Sequence, residues 1–462
     1  MASTCGPGKL CFEMDVLLRW AALTLAGLVL LAPGNAAGES TEPLKTQDAS
    51  PPASNVDSDR KSALRALGLE YGFIYTGEVL SNTSGGLKQG TIYDGKLEAF
   101  VKADLAKIVG WEGLTFYANA FQLNSTGRLR RDYVGSLITI TNIEALPTTR
   151  LSELWLEQKL LGGAVTVRAG QLAADVEFFF STAGNFFVNS DWPTITSANL
   201  PSGGPAYPLS TPGVRFKFEP TKDTSILLAV FNGDPAGPGP AGEQEERNRF
   251  GLNFRIQDPP FVIAEMQFRS KQGMSEAGLA WTLKLGGWVH FGRFDDQRFG
   301  VDGLSLASPL SSHVPLQHFG NEGIYAVVDQ QLYRPVGGDD SSGLVAYSRV
   351  SLSPSNVNLI QSYFEGGLIA SGLIPGRLDD KFGAAFIYAG ISDAVSALDR
   401  DAILASSTRP ARDYEASLEL SYQAQIQPGW ILQPLFTHVW HPSGSSAVPD
   451  ATIVGVRTVI TY

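Results

Sequence analysis

His438 and His441 come nearest to a paired metal-ligand motif among the five histidines of this chain, and their spacing works against them. Three apart on an alternating segment, they point to opposite faces and cannot share an ion. No H-E-x-x-H and no G-x-S-x-G elbow occurs, so the usual zinc-hydrolase and serine-hydrolase constellations are missing. Gly237 to Gly242 fits G-x-G-x-x-G, but its prolines and the acidic Glu243, Glu245 and Glu246 would repel a pyrophosphate. Gly90 to Lys96 spells G-x-x-x-x-G-K, yet Leu97 stands where a Ser or Thr must hold magnesium. Neither catalysis, a metal nor a cofactor is expected.

What recurs instead is charge at every second residue. From Thr91 to Asp104, Tyr93, Leu97, Ala99, Val101 and Ala103 share one face, with Asp94, Lys96, Glu98, Lys102 and Asp104 on the other. Gly213 to Glu219 sets Val214, Phe216 and Phe218 against Arg215, Lys217 and Glu219. Arg249 to Ile256 repeats the pattern with Phe250, Leu252, Phe254 and Ile256. So do the segments Asp413 to Ala424 and Thr452 to Tyr462. Period two is the strand period. Composition agrees: 49 Gly, 25 Phe and 14 Tyr among 462 residues, with charged residues at 18%, favour β structure over helix.

A soluble sandwich would alternate as well. Three features favour a transmembrane barrel. The segments are about 9 to 11 residues long, the length of a tilted spanning strand. Tyr93, Tyr414 and Tyr462 stand near ends of apolar faces, as interfacial girdles require, and Tyr462 closes an alternating strand. Connections alternate in length, with long candidates at Asn124 to Arg150, Ala173 to Pro212, Asp234 to Arg247 and Asp295 to Asn321. After Lys61 to Leu67, which could add a short helix, no further helix is expected. The Ala173 to Pro212 stretch holds Phe178, Phe179, Phe180, Phe186, Phe187 and Trp192 and is then broken by prolines. Such a segment either folds back into the lumen and narrows it or packs on the rim. Charged residues on the inner faces of a closed barrel line water, where carboxylates accept and arginines donate to sugar hydroxyls and rings cover the C–H face.

The net charge, 35 − 46 = −11, argues against nucleic-acid binding. Arg19, the uncharged run Trp20 to Ala32 and the small residues after Pro33 have the order of a secretory signal peptide, expected over residues 1–37 with cleavage after Ala36 or Ala37. Either Met1 or Met14 could be the start. Cys5 and Cys11 would leave with the signal, and a disulfide-free exported chain of this length fits the bacterial envelope. Residues 38–66 read as a disordered tail or short helix, and residues 67–462 as the barrel.

Specific strings carry a resemblance. Leu151-Ser-Glu-Leu-Trp-Leu-Glu157, Arg168-Ala-Gly-Gln171, Phe178 to Asn189, Leu285 to His290, Ile324 to Gln330, Pro375 to Lys381 and Gln427 to Pro434 follow in order. Together they resemble the carbohydrate-selective porins of the OprB type from about Gly68 to Tyr462. The resemblance implies an all-β, antiparallel outer-membrane barrel of about sixteen strands with an infolded constriction. It also implies passive diffusion of monosaccharides such as glucose.

By parity and nearness to the infolded stretch, Glu153, Glu157, Arg168, Asp175, Glu177, Arg215 and Lys217 are the expected lumen or eyelet residues, with Trp155 and Trp192 as stacking surfaces. Arg349 and Arg457 are expected in the lumen wall, and Arg377 with Asp379 and Asp380 in a rim ion pair. Expected partners are small sugars, outer-membrane lipid and lipopolysaccharide, and the barrel-assembly machinery acting on the strand that ends at Tyr462. Nucleic acid is not among them. The assembly is a monomer or a homotrimer. Two alternatives stand: a general or anion-preferring porin, and a β-rich envelope binding protein with no pore.

Overall fold

Alternation along the chain becomes sixteen strands in a computed structural model that describes residues 55–190, 192–240, 242, 244–272 and 276–462. The expected signal peptide, both cysteines, the choice of start residue and residues 38–54 of the tail lie outside the described residues. A helix α1 (Asn55–Ala66) leads into strands β1 (Leu69–Ser84), β2 (Gly90–Asp104), β3 (Leu114–Ser125) and β4 (Thr148–Leu160). Between β2 and β3 sits a short helix α2 (Leu105–Val109). There follow β5 (Val165–Leu172), β6 (Thr211–Thr221), β7 (Thr224–Asn232) and β8 (Pro260–Ser270). The longest pair is β9 (Trp281–Gly300) and β10 (Pro315–Tyr333), ahead of β11 (Gly343–Leu352) and β12 (Ile360–Ser371). The last four are β13 (Lys381–Ile391), β14 (Tyr414–Gln427), β15 (Trp430–Trp440) and β16 (Ala451–Thr461).

Every strand pairs antiparallel with its sequence neighbours, and β1 pairs with β16 to close the barrel. Closure leaves no free edge. No described helix is long and apolar enough to cross a membrane; the crossing is made by strands. Register sets the faces. Glu78 lies opposite Arg457 and Asp94, and Glu157 opposite Arg168, which itself lies opposite Arg215, so these charges share the inner face. Phe216 and Phe218 of β6, Val230 of β7 and Leu285 of β9 are exposed on the outer face, the side a membrane would cover. Aromatic rings stand at strand ends on both rims, Tyr93 and Tyr414 at one and Trp281, Trp430 and Tyr462 at the other.

One rim carries the long connections at 126–147, 173–210, 233–259 and 392–413. The other carries tight ones at 161–164, 222–223 and 428–429. Short turns mark the periplasmic rim of such barrels, which places α1 and α2 there.

Three expectations are corrected. Arg249 to Ile256 is not a strand: it belongs to the connection at 233–259. Gly251 takes φ +67, where a Cβ would lie 1.9 Å from the Leu151 carbonyl oxygen, and this left-handed residue breaks the extended run despite its alternating side chains. Second, the connection expected over Asp295 to Asn321 is about half as long, because β9 and β10 extend to either side of a connection at 301–314. Third, a twelve-residue helix, Asp393–Leu404, fills the connection after β13, capped by the Ser392 side chain accepting from the Val395 amide. Its signal is local, a Ser followed by Asp393 in the first turn.

Candidate functional site in the lumen

Two connections fold into the barrel, and buried carboxylates of the wall hold both. Residues 173–190 and 192–210 form the inner layer of the lumen, with Phe178, Phe179 and Trp192 buried in one cluster with Phe231, Phe261, Ile263, Trp288 and Tyr325 of the wall, and Phe187 in another with Tyr347, Ile369 and Ala385. Phe179 stacks on Tyr325 with centroids 4.1 Å apart. Each such aromatic contributes about 1.5–3 kcal/mol by burial. The prolines after Trp192 therefore shape a packed plug instead of a floating loop.

Polar anchors fix the plug. The Phe179 amide and the Tyr325 hydroxyl both donate to Glu265, each at 2.8 Å. The Thr182 amide donates to Asp329 at 3.0 Å, and the Val188 and Asn189 amides donate to Glu419 at 2.9 Å each. Arg349 pairs with Glu365 and donates to the Phe179 carbonyl at 3.2 Å. Residues 126–147 are held in the same way from the far wall. Glu415 accepts from the Leu137, Ile138 and Ser443 amides at 2.9, 2.7 and 2.7 Å, and from the Ser136 hydroxyl. Thr141 donates to Glu78 at 2.6 Å, Arg457 pairs with Glu78 and donates to Asn142, and the Asn142 amide donates to the Val188 carbonyl, joining the two infolded loops. Buried carboxylates that accept several N–H groups have their hydrogen-bonding capacity satisfied without exposure.

Glu157, Arg168, Glu177 and Arg215 come together as one ion-pair quartet. Arg215 reaches Glu157 at 2.7 Å and Glu177 at 2.8 Å, with its remaining donor on Thr166. Arg168 lies 2.9 Å from Glu157, and its guanidinium covers the Trp155 ring at 4.0 Å. Trp155 in turn stacks on Tyr117 at 4.9 Å. Burial opposes the charge on Glu177, but the Arg168 and Arg215 guanidiniums outweigh it and hold the carboxyl below its ordinary value. The two cations and two anions cancel, and the quartet bolts the inner loop to β4, β5 and β6. Lys217 lies nearer the periplasmic rim, paired with Glu219 at 3.0 Å. Arg377 pairs with Asp380 at 2.8 Å in the turn after β12.

Beside the plug an open cavity of about 500 Å³ remains. Of the residues singled out from sequence, Glu153, Asp175, Trp192, Arg349 and Arg457 line it; Trp155, Glu157, Arg168, Glu177, Arg215 and Lys217 do not. Sequence reasoning missed Tyr117, Asn119, Phe121, Asn142 and Tyr207, and it placed Lys96 and Glu98 on a polar face without assigning them to the lining. Lys96 Nζ lies 5.0 Å over Phe121 and 5.2 Å over Tyr207, with Glu98 at 3.7 Å; Asn119 donates to Glu98 at 3.0 Å. Towards the extracellular rim, Asn142, Trp192 and Tyr207 also border a second hollow of about 180 Å³ with Arg128, Arg130, Glu144 and Glu245. Burial pushes the Glu144 carboxyl above its ordinary value despite the Arg130 amide that donates to it. Among the described residues, no group of three His, Cys, Asp or Glu is placed to hold a metal ion.

A closed sixteen-stranded barrel with a lumen narrowed from within and a polar passage beside the constriction is the architecture of an outer-membrane diffusion channel. The family model "Carbohydrate-selective porin, OprB family" matches residues 88–462, and the chain belongs to that family. Porin B of Pseudomonas aeruginosa is 22% identical over 420 residues, covering 86% of this chain and 88% of its own. The high-pH structure of Pseudomonas putida OprB superposes with TM-score 0.76 at 20% identity, covering 88% of this chain and 97% of that one. The low-pH structure of the same protein gives TM-score 0.52 at 15% identity, covering 91% and 100%. The chain is a carbohydrate-selective porin of the bacterial outer membrane, which sets aside the pore-free binding protein.

Proposed function

We propose that this channel passes monosaccharides such as glucose down their gradient, and that the lining beside the plug reads them. The observation that carries this is the composition of the lining. Lys96, Arg349 and Arg457 supply three cations there, Glu98, Glu153 and Asp175 three carboxylates, and Tyr117, Phe121, Tyr207 and Trp192 supply rings. A balanced set of donors and acceptors with ring faces matches a hydroxylated neutral solute better than an ion.

Arg349 and Arg457 spend donors on Glu365 and Glu78. Lys96, Glu98 and Asn119 are the groups we assign to hydroxyl contact, with Glu153, Asp175 and Trp192 completing the passage. The quartet of Glu157, Arg168, Glu177 and Arg215 fixes its width. Contacts of this kind are weak enough to release, so transit needs no energy source. We further infer that residues 1–37 are a removed export signal and that the barrel-assembly machinery engages β16.

The test is solute flux into liposomes holding the refolded mature protein, with glucose, a disaccharide and an amino acid of glucose's size. Faster glucose entry is expected; equal rates for glucose and the amino acid would return the pore to a general porin. An anion-preferring pore would show instead as reversal potentials set by chloride. Conductance steps in the same preparation report the assembly, single for a monomer and grouped in threes for a homotrimer.

A further inference from the structure

One buried cation in the lumen has no counterpart. Among the described residues the buried cations are Arg150, Arg215, Lys284, Arg349 and Arg457, and Lys284 alone of them has neither a hydrogen bond nor an ion pair. Lys284 is 7% exposed and stands near the turn-side end of β9. Register puts Gln267 of β8 and Val327 of β10 beside it. The carboxylates two residues from these, Glu265 and Asp329, are already taken by other donors. Glu265 accepts from the Phe179 amide, the Tyr325 hydroxyl and the Gln267 side-chain amide, the last at 2.6 Å. Asp329 accepts from the Ser181 hydroxyl and the Thr182 amide. What Lys284 meets is a ring: its Nζ lies 5.6 Å from the Phe180 centroid.

An ammonium this buried is costly when a ring face is its only contact. Its three N–H donors must be met from the lumen, by water or by a solute. A related arrangement occurs at the cavity, where Lys96 lies over Phe121 and Tyr207. Phe180 lines that cavity and Lys284 does not. Phe179 stacks on Tyr325, which lies opposite Gly286, two residues farther from the turn rim than Lys284. Lys284 therefore sits on the periplasmic side of the plug, with Phe180 between it and the cavity.

We propose that Lys284, with Phe180 and Gln267, forms an exit-side saccharide contact, a second station that the solute meets after the constriction. It rests on the monosaccharide reading above. The Gln267 Nε2 is spent on Glu265, which leaves its Oε1 as an acceptor beside the ammonium donors and the ring. That set serves a hydroxylated neutral solute. An anion is not selected, because Glu265 and Asp329 on the flanking strands offset the Lys284 charge. Two weak stations in series let a solute enter and leave, as conduction requires.

The experiment is glucose block of single-channel current in planar bilayers, with wild type, K284M and K284Q, and with disaccharide flux and thermal stability followed alongside. Met removes every donor, whereas Gln removes the charge and keeps an NH₂ group. Glucose should block wild type, K284M should weaken the block about fivefold, and K284Q should recover most of it, with disaccharides still excluded by all three. A counter-ion that only steadied the plug would be lost alike in both variants. Undiminished block in K284M overturns the proposal, whether or not chloride permeability falls. Equal loss of block in K284M and K284Q overturns it as well and makes Lys284 a counter-ion of the plug. Block weakened by K284M but not by K96M/N119A upholds Lys284 and strikes the assignment to Lys96 and Asn119. Absence of block in wild type strikes both.

Discussion

The wall at β4, β5 and β6 and the wall at β1, β2 and β3 carry similar inward charges and use them oppositely. In the first, Glu157, Arg168, Glu177 and Arg215 meet at 2.7–3.6 Å and satisfy one another as a neutral strut. In the second, Lys96, Glu98 and Asn119 border the open cavity, and Lys96 is held by ring faces and a carboxylate 3.7 Å away. What separates them is the infolded loop. Where it lands, charge becomes structure; where it leaves a gap, charge borders the open cavity.

Breaking the strut should have the largest effect. Arg215→Ala leaves Glu157 and Glu177 short of a partner, a local cost of about 3–5 kcal/mol for a broken buried pair. The 173–210 loop should loosen, seen as raised conductance and disaccharide entry approaching that of glucose. Glu415→Gln comes next. Its carboxylate accepts from four donors of the second loop and the β15–β16 connection, and the amide turns an acceptor into a donor facing N–H groups, at about 1–3 kcal/mol. Lower thermal stability with a noisier open channel is the expected readout.

Acid separates the loop carboxylates by sign. Glu177 is held below its ordinary value, so its contribution to the folded state is fully present above the unfolded value of about 4.3 and is lost as pH falls through the lower folded value. Glu144 is pushed up and gives up its charge first. On acidification, permeability to cations relative to anions should therefore fall before disaccharide exclusion fails, and Glu144→Gln should remove the early step alone. Reversal potentials and disaccharide leak, followed over pH, read the two separately. Arg377→Ala on the periplasmic turn should cost about 1 kcal/mol, because Arg377 is itself exposed and the buried Asp380 keeps the Tyr422 hydroxyl and the Gln425 amide as donors, and should leave flux unchanged.

Much of the barrel was legible because alternation reports faces directly: Arg215 opposite Phe216, and Glu98 opposite Leu97, are readable from the chain. The grouping of Glu157 with Arg168 and Arg215 was half legible, as shared parity without register. That Glu177 joins them depends on how the 173–210 loop folds, which no periodicity encodes. Residues 126–147 are aperiodic, so Asn142 and the link to Val188 left no signal. Glu415 and Glu419 read as wet polar-face residues, because their burial comes from loops distant in sequence. Arg249 to Ile256 shows the converse: flawless alternation fails once Gly251 turns left-handed.

The account rests on the β1–β3 wall reading the sugar, and current through single channels in planar bilayers tests this most directly. Glucose added to the wild-type channel should interrupt the ion current, and Lys96→Met with Asn119→Ala should weaken that block about tenfold or more, at about 1 kcal/mol for each hydrogen-bonding group removed. Block of undiminished strength in that double variant, with conductance unchanged, would contradict the assignment and move the sugar contact elsewhere in the lumen.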